Sequence, residues 1–453
     1  MSDPEEAEAE DRGPAQRAAG EVDAGRPAAA AEPGAGGGGA RLRRFLSYLA
    51  LAGPGLIAAN AGNDAGGIAT YASAGAQFRY RTLLFMVVVT VALVVVQEMS
   101  ARLGAYTGKG LAALIREEFS VRVAGFALLC LVVANTGLVV SEFAGIGAAM
   151  ELFHVSRYIS IPAFAAAIWA VVVFSSYSYA ERVFLLLSLV FLTYPLAALL
   201  GHPHWATVAN NTVIPHFTAD RDFIFLGVAL IGTTITPYMQ FYLQSAVAEK
   251  AIDEDELRLE QADAVGGAIW TNVIAIFIVV ATATTVFAMG GNINSAVDAA
   301  RALEPVAGQF AEILFAIGLF GASVLAATIM PISTAYVICE AFGWESGVGK
   351  RFSDAPTFFG IYTLVLVVGA LIVLIPGLDL LGIIASSQAL QGLLLPIVLI
   401  FMVLLVNDRG LMGRHANGPL LNVLAWIAVG LVIVLDVGLL AVGALQLVGV
   451  QLG

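Results

Sequence analysis

One carboxylate, Asp64, lies deep within a long apolar segment, residues 45–76, that contains no lysine or arginine. A carboxylate in the middle of a membrane is costly, and it is usually neutralised by a cation or a paired group. Asn60 and Asn63 lie close to it in the sequence and offer amide oxygens. Two glycines that follow weaken the helix, so backbone carbonyl oxygens become available as well. This spacing predicts a site for a positively charged ligand around Asp64.

A second interrupted segment supplies uncharged oxygen ligands. Thr233 and Thr236 precede Pro237 in an otherwise apolar run, and Gln388 offers an amide oxygen in another. The nearest sulfur is that of Met239, which we expect to pack rather than bind an ion. A set made only of oxygens is hard and suits Mg²⁺, Ca²⁺ or Mn²⁺ better than the later transition metals. The predicted ligand is therefore a hard divalent cation.

The other reactive side chains favour transport over catalysis. Glu142 is the deepest of the remaining carboxylates near the site, and we expect it to line an aqueous path or to form a secondary cation or proton position. All five histidines fall in predicted loops, and Cys130 and Cys339 lie in apolar runs as free thiols. This distribution argues against an intramembrane hydrolase or redox enzyme. We expect no enzymatic activity and no cofactor.

The composition places these residues in a membrane protein. The chain has 453 residues, of which 59% are hydrophobic and 12% charged, and its mean hydropathy is +0.86. Soluble domains carry about 25% charged residues. Residues 1–44 are rich in Ala, Gly, Pro, Glu and Arg and are predicted to form a disordered cytoplasmic tail. Residues 45–453 are predicted to form a transmembrane domain, with the lipid bilayer as a partner and no nucleic acid.

Eleven apolar segments in residues 45–453 are long enough to span a bilayer, which needs about 20 residues. They are residues 45–76, 82–103, 122–152, 158–176, 183–200, 223–248, 264–289, 310–342, 356–375, 378–406 and 420–448. With a cytoplasmic amino terminus, all but five of the 22 Lys and Arg residues lie on the inner side. The sequence thus predicts an all-α multi-pass protein of the cell membrane whose carboxyl terminus is extracellular.

The first and sixth segments are interrupted at matching positions of two five-helix halves. Glycines follow Asp64 in the first segment, and Pro237 interrupts the sixth. Paired interruptions of this kind indicate an inverted-repeat transporter whose binding site lies between the broken helices. We therefore expect residues 45–200 and 223–406 to form two repeats with unwound first and sixth helices. The eleventh helix, residues 420–448, is then an addition.

Several motifs resemble one transporter family. The run GPGLIAANAGNDAGGIATYASAG, followed by QEMSARLGAYTGKGLAALIREEF, is similar to the first two helices of the natural resistance-associated macrophage protein (NRAMP) family of divalent metal transporters. That family carries the patterns GPxxxxSxAxxDPGN and SAxLGxxTGxxL. The runs FYLQSAV, ICEAFGWE and SSQALQGLLLP resemble its sixth, eighth and tenth helices, so the similarity extends over most of residues 45–410. The resemblance implies the leucine-transporter type of inverted repeat.

The family holds its metal with the Asp and Asn of DPGN, a carbonyl three residues before that Asp, and the Met and a carbonyl of an AxxMPH motif. A Gln of the tenth helix sometimes contributes. The resemblance assigns these roles to Asp64, to the Ala61 carbonyl and to Gln388. Gly67 stands where the family Asn would be, and Thr236 stands at the Met position once one inserted residue is allowed. Without the insertion, Pro237 takes the Met position and Thr234 that of the carbonyl. The soft ligand is thus absent.

The family's proton-handling residues are replaced too. Its sixth-helix histidines correspond to Tyr238 (or Met239) and Gln244, and its third-helix acidic pair to Ser141 and Ala144. These departures resemble the branch of NRAMP-related magnesium transporters. The resemblance implies uptake of Mg²⁺, and also Mn²⁺, by alternating access without protons. We expect the protein to be monomeric. The alternatives are a proton-coupled Mn²⁺/Fe²⁺ importer and a Na⁺-coupled amino-acid symporter of the same fold.

Overall fold

The computed structural model describes residues 62–174, 192–216, 221–249, 254–290, 293 and 296–447. All the regular structure in these ranges is helical, so the expectation of an all-α chain is confirmed there. The predicted tail, residues 1–44, lies outside the described residues, as do the first part of the first predicted span and the first half of the fifth. Nine helical segments in the described ranges are long and apolar enough to cross a membrane, and one of them, Arg221–Glu249, contains a break. The full set of eleven spans stays a prediction.

We number the α-helices in chain order. They are α1 (Ala65–Phe78), α2 (Leu83–Thr107), α3 (Leu111–Glu118), α4 (Val121–Leu152), α5 (Arg157–Phe174), α6 (Thr193–Leu200), α7 (Trp205–Val213), α8 (Arg221–Thr234), α9 (Pro237–Glu249), α10 (Glu254–Thr284), α11 (Ala296–Ala300), α12 (Glu304–Ala307), α13 (Ala311–Phe342), α14 (Pro356–Val373), α15 (Leu380–Asn407), α16 (Arg409–Met412) and α17 (Pro419–Leu447). Short 3₁₀ turns, Arg301–Leu303, Gly308–Phe310 and Gly413–His415, complete the described elements.

Two buried helix boundaries position the polar residues that the sequence singles out. The first is the start of α1, where the Asp64 side chain accepts a hydrogen bond from the Gly67 N–H and so caps the helix. The second separates α8 from α9, where only Ile235 and Thr236 lie outside helical structure. Pro237 begins α9, because proline lacks an N–H and its fixed φ suits the first position of a helix.

The helices around these boundaries pack in a consistent arrangement. Helix α1 packs against α8, α10 and α15, and α9 packs against α2 and α13. Helix α4 packs extensively against α13, α14 and α15. A hydrogen bond of 3.1 Å between the hydroxyls of Tyr71 and Thr234 joins α1 to the end of α8. Helix α1 therefore lies beside the break between α8 and α9.

Gly75 sets the distance between α1 and α10. A β-carbon at this position would overlap the Thr282 hydroxyl and the Val279 carbonyl oxygen of α10. Close approach through small residues is the usual way in which membrane helices gain packing contacts. Gly360 on α14 is different, because a β-carbon there would meet no atom within 4 Å.

We predict that Gly75→Ala lowers thermal stability while Gly360→Ala does not. Overpacking against backbone costs about 1–3 kcal/mol, whereas alanine at an open helical site costs nothing sterically. Each variant is heated in detergent and analysed by size-exclusion chromatography. The measured quantity is the temperature at which half of the monodisperse peak is lost. Equal midpoints for the two variants would show that α1 and α10 are not held together through this contact.

Candidate metal site

Asp64 is buried where the first described helix begins, with 1% of its surface exposed. One carboxylate oxygen, Oδ1, accepts from the Gly67 N–H at 2.6 Å. The other, Oδ2, has no hydrogen-bond partner in the described part of the chain. The carboxylate therefore keeps one oxygen available for a ligand, and a buried oxygen of this kind is costly unless a cation or water reaches it.

Thr233 brings the end of α8 to the same place. A β-carbon on Gly67 would lie 3.3 Å from both the Asp64 Oδ1 and the Thr233 hydroxyl oxygen, and 2.5 Å from the Gly62 carbonyl oxygen. Glycine at position 67 thus lets these three oxygens converge. The Thr233 hydroxyl is wholly buried and has no partner among the described residues.

Gln388 reaches the site from α15. Its side chain is wholly buried, and neither its amide oxygen nor its amide nitrogen has a hydrogen-bond partner within the described ranges. The amide lies directly on Gly66, since a β-carbon there would overlap it. The structure therefore brings together Asp64, Gly67, Thr233 and Gln388, four of the residues predicted from the sequence.

The remaining predicted residues have other environments. The Thr236 hydroxyl is buried and donates to the Thr233 carbonyl oxygen at 3.1 Å, so it stabilises the break between α8 and α9. Met239 packs towards α2, where the Gln97 amide donates to its sulfur at 3.9 Å. Asn60 and Ala61 lie outside the described residues, and their roles stay predictions.

Glu142 on α4 is a second buried carboxylate next to the site. Its Oε2 accepts from the backbone N–H of Ala65 at 3.2 Å, and its Oε1 has no partner in the ranges described. Ala65 immediately follows Asp64, so the two acidic residues meet at the same helix start. The sequence pointed to Glu142 only through its depth in an apolar run. No pattern in the sequence predicts that it contacts the residue after Asp64.

The described residues contain no group of three or more His, Cys, Asp and Glu side chains arranged to hold a metal ion. A cation at the site would instead meet one carboxylate, Asp64, together with neutral side-chain and backbone oxygens. Such a set provides one charge and otherwise neutral oxygens. This donor set fits hard cations that retain water.

A cavity of about 570 Å³ opens next to the site between α1, α8 and α15. We call it the vestibule. Its deep wall includes Ala69, Ala229 and Ala385, each within about one helical turn of a site residue. Two exposed carboxylates, Asp222 and Asp379, line its outer part. The small alanines leave room, and the acidic residues make the cavity attractive to cations.

Comparison with known proteins identifies the family. A family model described as natural resistance-associated macrophage protein-like matches residues 55–442. A divalent metal cation transporter, MntH, of Ralstonia nicotianae is 27% identical over 415 residues, covering 85% of this chain and 89% of that protein. A protein of the same name from Klebsiella pneumoniae is 28% identical over 410 residues, covering 88% and 95%.

Solved structures share the fold. The manganese transporter of Eremococcus coleocola, determined in complex with an aromatic bis-isothiourea substituted compound, superposes with a TM-score of 0.68 at 20% identity and covers 89% of this chain and 88% of that one. Mhp1, a nucleobase-cation-symport-1 family transporter, has a TM-score of 0.51 at 15% identity over 86% and 93%. Since the family model matches well over half of the sequence, the chain belongs to the natural resistance-associated macrophage protein (NRAMP) family.

Proposed function

We propose that this protein is a secondary transporter that takes up divalent cations, Mg²⁺ and also Mn²⁺, by alternating access. The observation that carries the proposal is the Asp64 Oδ2, which has no hydrogen-bond partner among the described residues and lies beside neutral oxygen ligands at two helix boundaries. The relatives named as divalent metal cation transporters support the same class of substrate.

The proposed ligands follow from this geometry. Asp64 supplies the charge, while Thr233 and Gln388 supply side-chain oxygens and Thr236 stabilises the carbonyl of Thr233. The backbone near Gly67 adds further carbonyl oxygens. We include Asn60 and the Ala61 carbonyl from the sequence patterns. Only one of these groups is charged, which favours an ion that keeps part of its hydration shell.

The preference for Mg²⁺ rests on ligand softness. A thioether favours Mn²⁺ and Fe²⁺ over Mg²⁺, and the nearest methionine sulfur, that of Met239, contacts Gln97 instead. Magnesium ions bind oxygen and usually retain several waters, with one or two carboxylates from the protein. Inward movement needs no coupled ion, since a dication crossing 100 mV gains about 4.6 kcal/mol, twice the value for a unit charge.

We also propose the architecture that this mechanism needs. Eleven spans would comprise two inverted repeats, residues 45–200 and 223–406, and an added helix at 420–448, after a cytoplasmic tail of residues 1–44. The observed interruption between α8 and α9 supports an unwound sixth helix, and the start of α1 directly after Asp64 is compatible with an unwound first one. The amino terminus would be cytoplasmic, the carboxyl terminus extracellular and the protein monomeric.

A second candidate is a proton-coupled Mn²⁺ importer, and the position of Glu142 favours it. This buried carboxylate is bonded to the N–H of Ala65, next to the proposed metal ligand, and one of its oxygens is unpartnered within the described ranges. Intramembrane carboxylates commonly form proton relays. The solved relative named as a manganese transporter is consistent with this candidate as well. Proton flux separates the two mechanisms.

Removal of the central charge is the first test of the proposed site. We predict that Asp64→Ala reduces Mg²⁺ and Mn²⁺ uptake in proteoliposomes to the level of protein-free liposomes, because no other group in the proposed ligand set is charged. Asp354→Ala removes an exposed carboxylate and should transport like the wild type. Wild-type uptake by a correctly folded Asp64→Ala protein would disprove the site.

Gly66→Ala tests whether Gln388 is a ligand. The three atoms nearest to the added methyl group all belong to the flexible Gln388 side chain, so the substitution should displace the amide without unfolding the protein. We predict that Gly66→Ala and Gln388→Ala each weaken Mn²⁺ binding about tenfold, as measured by isothermal titration calorimetry. The double variant should bind no more weakly than either single variant. Additive losses would indicate that the two positions act independently.

Ion selectivity and coupling are tested together in liposomes with a trapped pH-sensitive dye and an inside-negative potential. We expect millimolar Mg²⁺ to compete with Mn²⁺ uptake and neither ion to acidify the lumen. The Glu142→Gln variant should therefore give the same luminal pH response as the wild type. If metal addition acidifies the lumen, and this acidification is lost in Glu142→Gln while uptake persists, the proton-coupled candidate replaces the uncoupled one.

A further inference from the structure

A second cavity, of about 300 Å³, lies beside the vestibule at the turn between α1 and α2. We call it the basic cavity. Its lining includes Gln77, Arg79, Arg81, Thr207, Asn211 and Phe287. These residues come from the α1–α2 turn, from α7 and from the region after α10, so three separate parts of the chain form one concave site. Two guanidinium groups give it a positive charge.

The two arginines, Arg79 and Arg81, have no acidic partner among the residues that the structure describes. The Arg79 guanidinium lies 5.1 Å from the Tyr80 ring centroid and 5.8 Å from that of Phe287. Ring contacts occupy the face of a guanidinium and leave the N–H groups at its edge available for an anion.

The backbone at Arg79 is held in an unfavourable conformation. Its φ is 54° and its ψ is −117°, whereas side-chain-bearing residues rarely adopt positive φ. The Arg79 N–H still donates to the Gly75 carbonyl oxygen and closes the end of α1. Local strain of this kind often marks ligand sites, because the surrounding structure must enforce it. Here it accompanies the placement of the guanidinium between two rings.

The exposed side chains of α7 indicate that the basic cavity lies at the boundary between lipid and water. Helix α7 exposes 46% of Trp205 and 74% of Val213, although it also carries the polar cavity residues Thr207 and Asn211. A short helix with exposed apolar and aromatic side chains beside polar ones is typical of the headgroup region. A phospholipid phosphate lies at that depth.

We propose that the basic cavity binds a phosphate group. Guanidinium groups bind phosphate oxygens through paired N–H donors, and two of them match a group with two free oxygens. The Thr207 hydroxyl and the Gln77 amide, which also line the cavity, supply further donors. The headgroup of an anionic phospholipid and free inorganic phosphate both present this chemistry.

A bound phosphate group would matter for cation entry. Gln77 lines both the basic cavity and the vestibule, so the two cavities share a wall. Charges interact across about 8–10 Å at physiological ionic strength. The unneutralised arginines would oppose a dication attracted by Asp222 and Asp379, and a phosphate anion cancels that opposition.

Binding can be measured without transport. We would titrate the purified full chain, in a maltoside detergent, with dihexanoyl phosphatidylglycerol or with inorganic phosphate and follow the heat of binding. The test variant is Arg79→Gln/Arg81→Gln, and the matched control is Arg157→Gln, which removes a half-buried arginine outside the cavity. Size-exclusion profiles establish that the variants are folded.

We expect the wild type and Arg157→Gln to bind at least one of the two ligands about tenfold or more tightly than the double variant, because two charge-assisted contacts are lost. Tighter binding of the lipid identifies the headgroup as the source, and equal affinity for inorganic phosphate identifies the free ion. The proposal is overturned if the wild type binds neither ligand, if the double variant binds both as tightly as the wild type, or if Arg157→Gln loses affinity equally.

Discussion

The cost of burying the Asp64 carboxylate is the constraint on which the rest of the structure depends. A negative charge with 1% exposure must be stabilised by nearby donors or by a cation. The start of α1 meets part of this need, because the Gly67 N–H donates to one oxygen and the amino end of a helix carries partial positive charge. The second oxygen is left to a ligand. The break between α8 and α9 then places Thr233 within reach of the same point.

Small residues make this convergence possible. Gly66 and Gly67 remove the β-carbons that would otherwise block the Gln388 amide and the Thr233 hydroxyl. Gly75, further along the same helix, allows α1 to approach α10. Glycine is unfavourable within a helix by about 1 kcal/mol relative to alanine in water. Its use on one short helix therefore indicates that close contact, rather than helix stability, determines the composition of α1.

Charge is distributed unevenly around the proposed route. Asp222 and Asp379 lie in the outer part of the vestibule, and Asp64 lies about one turn beyond its deep wall. Glu142 is a further carboxylate next to the site, and it accepts a hydrogen bond from the Ala65 N–H. The arginines of the basic cavity lie beside the vestibule, not in it. Attraction of the cation, its binding and any proton exchange would thus involve different side chains. Single substitutions can therefore test these three steps separately.

The sequence by itself determined the membrane class, the helical structure of the described residues and the NRAMP family, and it singled out Asp64 as a candidate site residue, because continuous apolar runs and a lone carboxylate leave few alternatives. It also indicated the break at Pro237, since proline lacks a donor. Only the tertiary structure decided that Gln388 lies on Gly66, that Glu142 contacts Ala65 and that the Thr236 hydroxyl is bonded to Thr233. These pairings join distant helices or depend on the local path of a break. Apolar helices that are hydrophobic on every side carry no periodic signal for the face that meets a neighbour, so packing alone sets those contacts.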